Sequence, residues 1–190
     1  MRRQLPAAVV LFVLLTVLTG LVYPLAVTGI AQVAFNERAD GSLVWRGGVA
    51  EGSRLIGQSF QGSRYFRGRP SAAGSGYDAM ASGASNLGPS NPILIVAARD
   101  RATEYRRVNQ LGSDDEVPID AITGSGSGLD PHISGANARF QARRVARARG
   151  VSFAQVLHLI DDATDGRSLG FLGEPGVNVL RLNLALDERL

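Results

Sequence analysis

Residues 5–29 read LPAAVVLFVLLTVLTGLVYPLAVTG, and how this stretch is read decides the architecture of the chain. As a helix it would rise about 37 Å, enough to cross roughly 30 Å of hydrocarbon with room for tilt. A cleaved signal peptide also pairs N-terminal basic residues with an apolar run, but its run is shorter and ends at a small-residue cleavage site that is not evident here. The spacing therefore predicts one retained transmembrane helix, marked along its length by Leu5, Val9, Phe12, Thr16, Gly20, Pro24 and Gly29. Thr16 and Gly20 form a small-xxx-small pair, the kind of face that lets a second helix approach closely. Pro24 should kink or end the helix unless the carbonyl it frees finds another donor. The span carries no ionisable side chain, which excludes a proton relay or a charged ion path built from this helix alone.

Outward from the span, charge sets the orientation. Arg2 and Arg3 precede it, and the first charges after it are Glu37, Arg38 and Asp40, so the N-terminus is expected in the cytoplasm and the rest of the chain outside. This gives residues 1–36 as a stub plus membrane helix and residues 37–190 as one soluble domain. With 45% hydrophobic and 19% charged residues, the chain is not a charge-rich disordered tail. Cysteine is absent, which removes disulfides, thiol catalysis and Cys-based metal sites. All 20 basic residues are arginine, so no Walker A loop, which needs lysine, exists.

The soluble part reads as α+β. Residues 35–45 look like a polar connector, and residues 55–60 (LIGQSF) like a short strand. Residues 62–92 are rich in Gly, Ser, Pro and Asn, yet carry Tyr65, Phe66, Tyr77, Met80 and Leu87, apolar anchors that predict a loop packed on a surface. Asn91 as N-cap and Pro92 at N1 open a helix that should run to about Gly112. Ser134 should cap a helix over residues 136–149, closed by Gly150. Ser152 and Gln155 form a capping box for a following helix. Leu180, Leu182, Leu184 and Leu186 alternate with Arg181 and Asn183, which predicts a half-buried strand.

Chemistry is sparse. Gly166, Ser168 and Gly170 match the spacing of a nucleophile elbow but lack its strand-to-helix context. Neither His132 nor His158 has a partner at metal-ligand spacing, and neither a metal site nor catalytic residues are expected. Asp130 with His132 could cap a helix or fix a loop. The glycine-rich loop 124–128 leads toward a helix N-terminus, a geometry able to receive an anion. Arg139, Arg143 and Arg147, spaced i, i+4, i+8, could meet phosphate, acidic lipid headgroups or an acidic partner, or simply form a solvated face. Nucleic acid is not an expected partner at a net charge of +3 with little aromatic interleaving. Two loops have the small residues and turn chemistry that permit close backbone approach: Ser82, Asn86, Gly88 and Asn91 in one, and Ser125, Gly128, Asp130 and His132 in the other. Both are expected to shape the domain or a partner contact, with positive φ expected at Gly88 and Gly128. A membrane-anchored enzyme lacks a nucleophile–base pair, whereas an anchored scaffold or solute-binding protein remains an open alternative.

Taken in order, LIGQSF at 55–60, YF and RPSA within 65–72, SGASNLGPSNP at 82–92, SGSGLDPHIS at 125–134, QxxRVAxARG at 141–150 and GEPGVNVLRLNLALD at 173–187 resemble the C subunit of the bacterial Kdp potassium-transporting P-type ATPase. Gly135, where that family usually has proline, and Gly176, where it often has a bulkier residue, depart from the pattern. The resemblance implies a non-catalytic, single-pass accessory subunit of the inner membrane. Its implied partners are membrane lipid, a channel-like subunit that conducts potassium and a P-type subunit that hydrolyses ATP. It further implies a catalytic chaperone that raises the ATP affinity of the ATPase subunit, and no tightly bound cofactor of its own beyond that association with ATP.

Overall fold

The structure is a computed structural model, described for residues 4–189, and the chain divides into two compact units, residues 1–51 and 52–190. Arg2 and Arg3, on which the orientation rests, lie outside the described residues.

The first unit is dominated by one apolar helix over Gln4–Ala34 with a mean hydropathy of 2.6 in its best window, long enough to span a membrane. It consists of α1 (Gln4–Val17), a π-helical turn (Leu18–Val22) and α2 (Tyr23–Ala34). Pro24 thus neither ends the helix nor leaves it regular. The Tyr23 N–H reaches back five residues to the Leu18 carbonyl, and this widened turn gives the proline ring room beside the carbonyl of Gly20, four residues before it. Thr19 returns its hydroxyl to the Leu15 carbonyl (2.7 Å). Phe12, Leu25 and Val33 are 70% or more exposed, so the helix presents an apolar surface to its surroundings. A short α3 (Asn36–Ala39) follows, then β1 (Leu43–Arg46) and β2 (Val49–Ser53), which pair as a hairpin. These elements occupy much of the stretch read as a connector. Gly47 and Gly48, both at positive φ, supply the turn that matches strand twist.

The second unit holds α4 (Pro92–Asn109), α5 (Ile119–Ile122), β3 (His132–Ile133), α6 (Gly135–Arg149), α7 (Phe153–Asp162), β4 (Thr164–Asp165), β5 (Gly176–Asn178) and α8 (Val179–Arg189). The expected caps are present. Asn91 accepts from the Ile93 N–H, Ser134 from that of Asn137, Gly150 takes the left-handed C-terminal position, and Ser152 with Gln155 closes a reciprocal box. A small antiparallel sheet has β5 at its centre, with His132 opposite Asn178 and Asp165 opposite Gly176. The core lies among α6, α7, α8 and this sheet, where Val145, Val156, Val177, Leu182, Leu186 and Phe66 are fully buried.

Two expected strands are not strands. Residues 55–60 form turns and irregular chain, held by the Gly57 N–H on the Leu129 carbonyl (2.7 Å). Residues 180–186 lie within helix α8. The alternation of leucines misleads because Asn183 is itself a core residue: its amide accepts from the Phe66 N–H (2.8 Å) and donates to the Phe66 carbonyl (2.9 Å). With Asn183 counted inside, Val179, Leu182, Asn183 and Leu186 show helical spacing. The anchored loop is also confirmed only in part, since Phe66 is fully buried but Met80 is 95% exposed.

Candidate functional site

Two glycine- and serine-rich segments far apart in sequence are brought together here. The Ser82 hydroxyl (3.0 Å) and Gly83 N–H (2.9 Å) both donate to the Ser127 carbonyl. Ser71 donates to the Gly128 carbonyl (2.6 Å) while accepting from the N–H groups of Ala73 and Tyr77. Gly128 sits at φ +67°, and a Cβ there would lie 2.6 Å from the Gly83 carbonyl oxygen and 2.7 Å from the Ala73 nitrogen. Glycine is therefore required on both conformational and spatial grounds. Gly88 is different: its φ is not positive and a Cβ would meet open space, contrary to the sequence expectation. The left-handed residue of that loop is Asn86, at φ +52°. Ser125 accepts the Gly128 N–H through its carbonyl, and Asn91 serves as the α4 cap.

Asp130 links this platform to the sheet. One carboxylate oxygen accepts the His132 N–H (2.9 Å), and the other pairs with Arg69 (3.0 Å), whose second nitrogen donates to the Gly124 carbonyl (3.3 Å). His132 and Arg69 hold the Asp130 carboxyl below its usual range, while Asp130 and then Asp165 raise the His132 imidazole. Burial, with Asp130 nearby, pushes the Tyr77 phenol up to about 12, so it remains a neutral donor to the Arg69 carbonyl.

The 124–128 loop does not feed a helix N-terminus. It passes through Asp130 and Pro131 into β3, and the N-terminus of α6 is already served by Asp120. That carboxylate accepts from the Ser134 N–H (2.7 Å), the Ser134 hydroxyl (2.9 Å) and the Asn137 side-chain amide (3.0 Å), fixing the N-cap residue and placing a negative charge at this helix end. Nothing local in the sequence marks Asp120, because its partners lie 14 to 17 residues away.

The arginines of α6 divide in two. Arg144 is buried on the carbonyls of Ser63 and Tyr65 and the side chains of Asn109 and Gln141; burial lowers it to about 10, so it stays charged at neutral pH. Arg149 lies over the Tyr65 ring and pairs with Asp187 (2.7 Å). Arg139, Arg143 and Arg147 form the exposed stripe the spacing predicted; Arg143 lies over Phe153, and Arg147 donates to Gln110. Gln141 is fully engaged: its amide donates to Arg67 and Asn137 and accepts from the Arg67 N–H and from Arg144. Beside it opens a cleft of about 450 Å³ lined by Arg67, Arg69, Tyr77, Tyr105 and Asp100. His158 is 77% exposed and Ser168 sits in a tight surface turn. Among the described residues no cluster of metal-ligating side chains occurs.

The family of the K+-transporting ATPase c chain matches residues 5–188. The chain belongs to the KdpC family. It is 58% identical over 187 residues to the potassium-transporting ATPase KdpC subunit of Mycobacterium tuberculosis H37Rv, covering 98% of this chain and 99% of that one. Its identity to the subunit of the same name is 57% over 189 residues in Rhodospirillum rubrum (100% and 97% covered) and 50% over 187 residues in Koribacter versatilis (98% and 95%). In this KdpC-family chain the motifs that carried the resemblance prove to be largely architectural: SGSGLDPHIS and SGASNLGPSNP are the two segments bonded through Ser127, and the glutamine and arginine of QxxRVAxARG hold the Arg67 and Tyr65 backbone.

Proposed function

We propose that this chain is a non-catalytic accessory subunit of an ATP-driven potassium uptake complex, needed for its assembly and activity. It is anchored by α1–α2 in the inner membrane with its N-terminus in the cytoplasm and its α+β domain outside. It assembles with a channel-like potassium-conducting subunit and a P-type ATP-hydrolysing subunit. Within the complex it acts as a catalytic chaperone, raising the nucleotide affinity of the ATPase subunit by favouring one of that partner's states.

The observation that carries this reading is the pairing of one uncharged membrane-length helix with a domain whose family-defining residues are spent on internal bonds. Gln141 and Arg144, both from those motifs, are buried with their hydrogen bonds made within the chain, so they brace the domain from inside. With the orientation proposed, about 30 Å of hydrocarbon separates this domain from cytoplasmic ATP, and influence on nucleotide binding must be conformational. Full-length protein in detergent is accordingly expected to bind ATP no better than other anions, with an affinity that collapses as salt rises. Micromolar, base-specific binding at physiological salt would overturn this route and favour a direct nucleotide site.

A second reading, an anchored scaffold or solute-binding protein without membrane partners, draws on the cleft beside Arg67 and Arg69. It differs in requiring no complex.

A further inference from the structure

We infer that His132 is a pH-dependent latch joining the two outer strands of the sheet across the central one and, through Asp130 and Arg69, tying them to the 124–130 segment. β3 and β4 each pair with β5 and not with each other, so the backbone ladder leaves their side chains as the direct link between them. His132 supplies it: Nε2 lies 2.9 Å from Asp165 Oδ2 on β4. The ring reaches there because position 176, on β5 between them, is glycine. A Cβ at Gly176 would sit 3.0 Å from the His132 Cβ and 3.2 to 3.3 Å from its ring. The departure from the family pattern at Gly176 thus has a physical counterpart in this chain.

The charged groups around the imidazole alternate in sign. Asp130, just before β3, places a carboxylate oxygen 3.6 Å from Nδ1 and is itself paired with Arg69. Asp165 on β4 is paired with Arg181 of α8 (2.7 Å), which also donates to the Asp162 carbonyl (3.0 Å). The Tyr77 phenol near Asp130 is neutral, and β5 presents only Gly176, Val177 and Asn178. An imidazolium has two N–H donors, one for each carboxylate. Neutral imidazole has one, so its bare nitrogen must then face a carboxylate oxygen. The protonated ring completes the chain Arg69, Asp130, His132, Asp165, Arg181, and the two carboxylates raise the imidazole above its ordinary value of 6.5.

The direction of the effect follows. A raised folded-state value means the latch contributes fully below pH 6.5 and is lost as pH rises through that folded-state value. Opening unlinks His132 from β4 and loosens the two outer strands, while the buried cluster, which includes Ile133 and Val177 but none of these charged side chains, stays in place. This inference does not depend on the orientation or partners proposed above.

Nuclear magnetic resonance titration of the full-length chain in detergent tests it, with the two histidines assigned through His158→Gln. His132 is expected to titrate above 6.5 and to fall toward that value in Asp165→Asn, a near-isosteric change at a half-exposed site. Amide protection at residues 132–133 and 164–165, corrected for intrinsic exchange, is expected to drop severalfold between pH 6 and 8.5 and to lose this pH dependence in His132→Gln. A midpoint at or below 6.5, a midpoint unmoved by Asp165→Asn, or the same protection profile in His132→Gln would each overturn the latch.

Discussion

A valine at position 128 would have to adopt a φ of +67° while its Cβ pressed on two backbone atoms from different segments, whereas a valine at position 88 would enter open space at an ordinary φ. In the sequence these glycines look equivalent, each in a loop rich in Gly and Ser. Gly128→Val is therefore expected to destabilise the chain by at least about 2 kcal/mol, the sum of left-handed strain in a β-branched residue and a clash that cannot relax locally. Gly88→Val should stay within about 0.5 kcal/mol of the parent. Thermal unfolding of both full-length variants in detergent checks the contrast, and equal melting shifts would contradict it. The same residue scale shows why the site was only partly readable. Asp130 and His132 stand out in sequence, but Arg69, 61 residues away, and Asp165, 33 residues away, are joined to them only by the fold.

Elements were legible where local chemistry determines them. The caps at Asn91, Ser134 and Ser152 and the C-terminal Gly150 each rest on hydrogen bonds within a few residues, and all four are found as expected. Element type failed where a distant partner decides it: Asn183 looks solvent-facing until Phe66, 117 residues earlier, supplies its two bonds. The β1–β2 hairpin carried a local signal, the Gly47-Gly48 turn, that a polar-connector reading passes over. The apolar helix long enough to span a membrane was readable from length and composition, and its π turn shows how Pro24 is tolerated within it. Its orientation belongs to this scale too. A reporter fused after residue 190 is expected to behave as extracytoplasmic, and a cytoplasmic readout would reverse the assignment from Arg2 and Arg3.

At the scale of the whole molecule, the chain joins one apolar helix of membrane length to an α+β domain. Arg69, Arg149, Arg167, Arg181 and Arg189 are paired with carboxylates within the chain, while Arg139, Arg143 and Arg147 are left as an outward stripe. On the function proposed above, partner subunits would meet it along the Thr16–Gly20 face of the helix and on the α+β domain. The most direct measurement is the state in which the full-length chain leaves the membrane. Tagged and solubilised in mild detergent from cells grown under potassium limitation, it is predicted to elute with two further membrane subunits and with potassium-stimulated ATPase activity. Elution as an isolated 20.1 kDa species under those conditions would contradict the account.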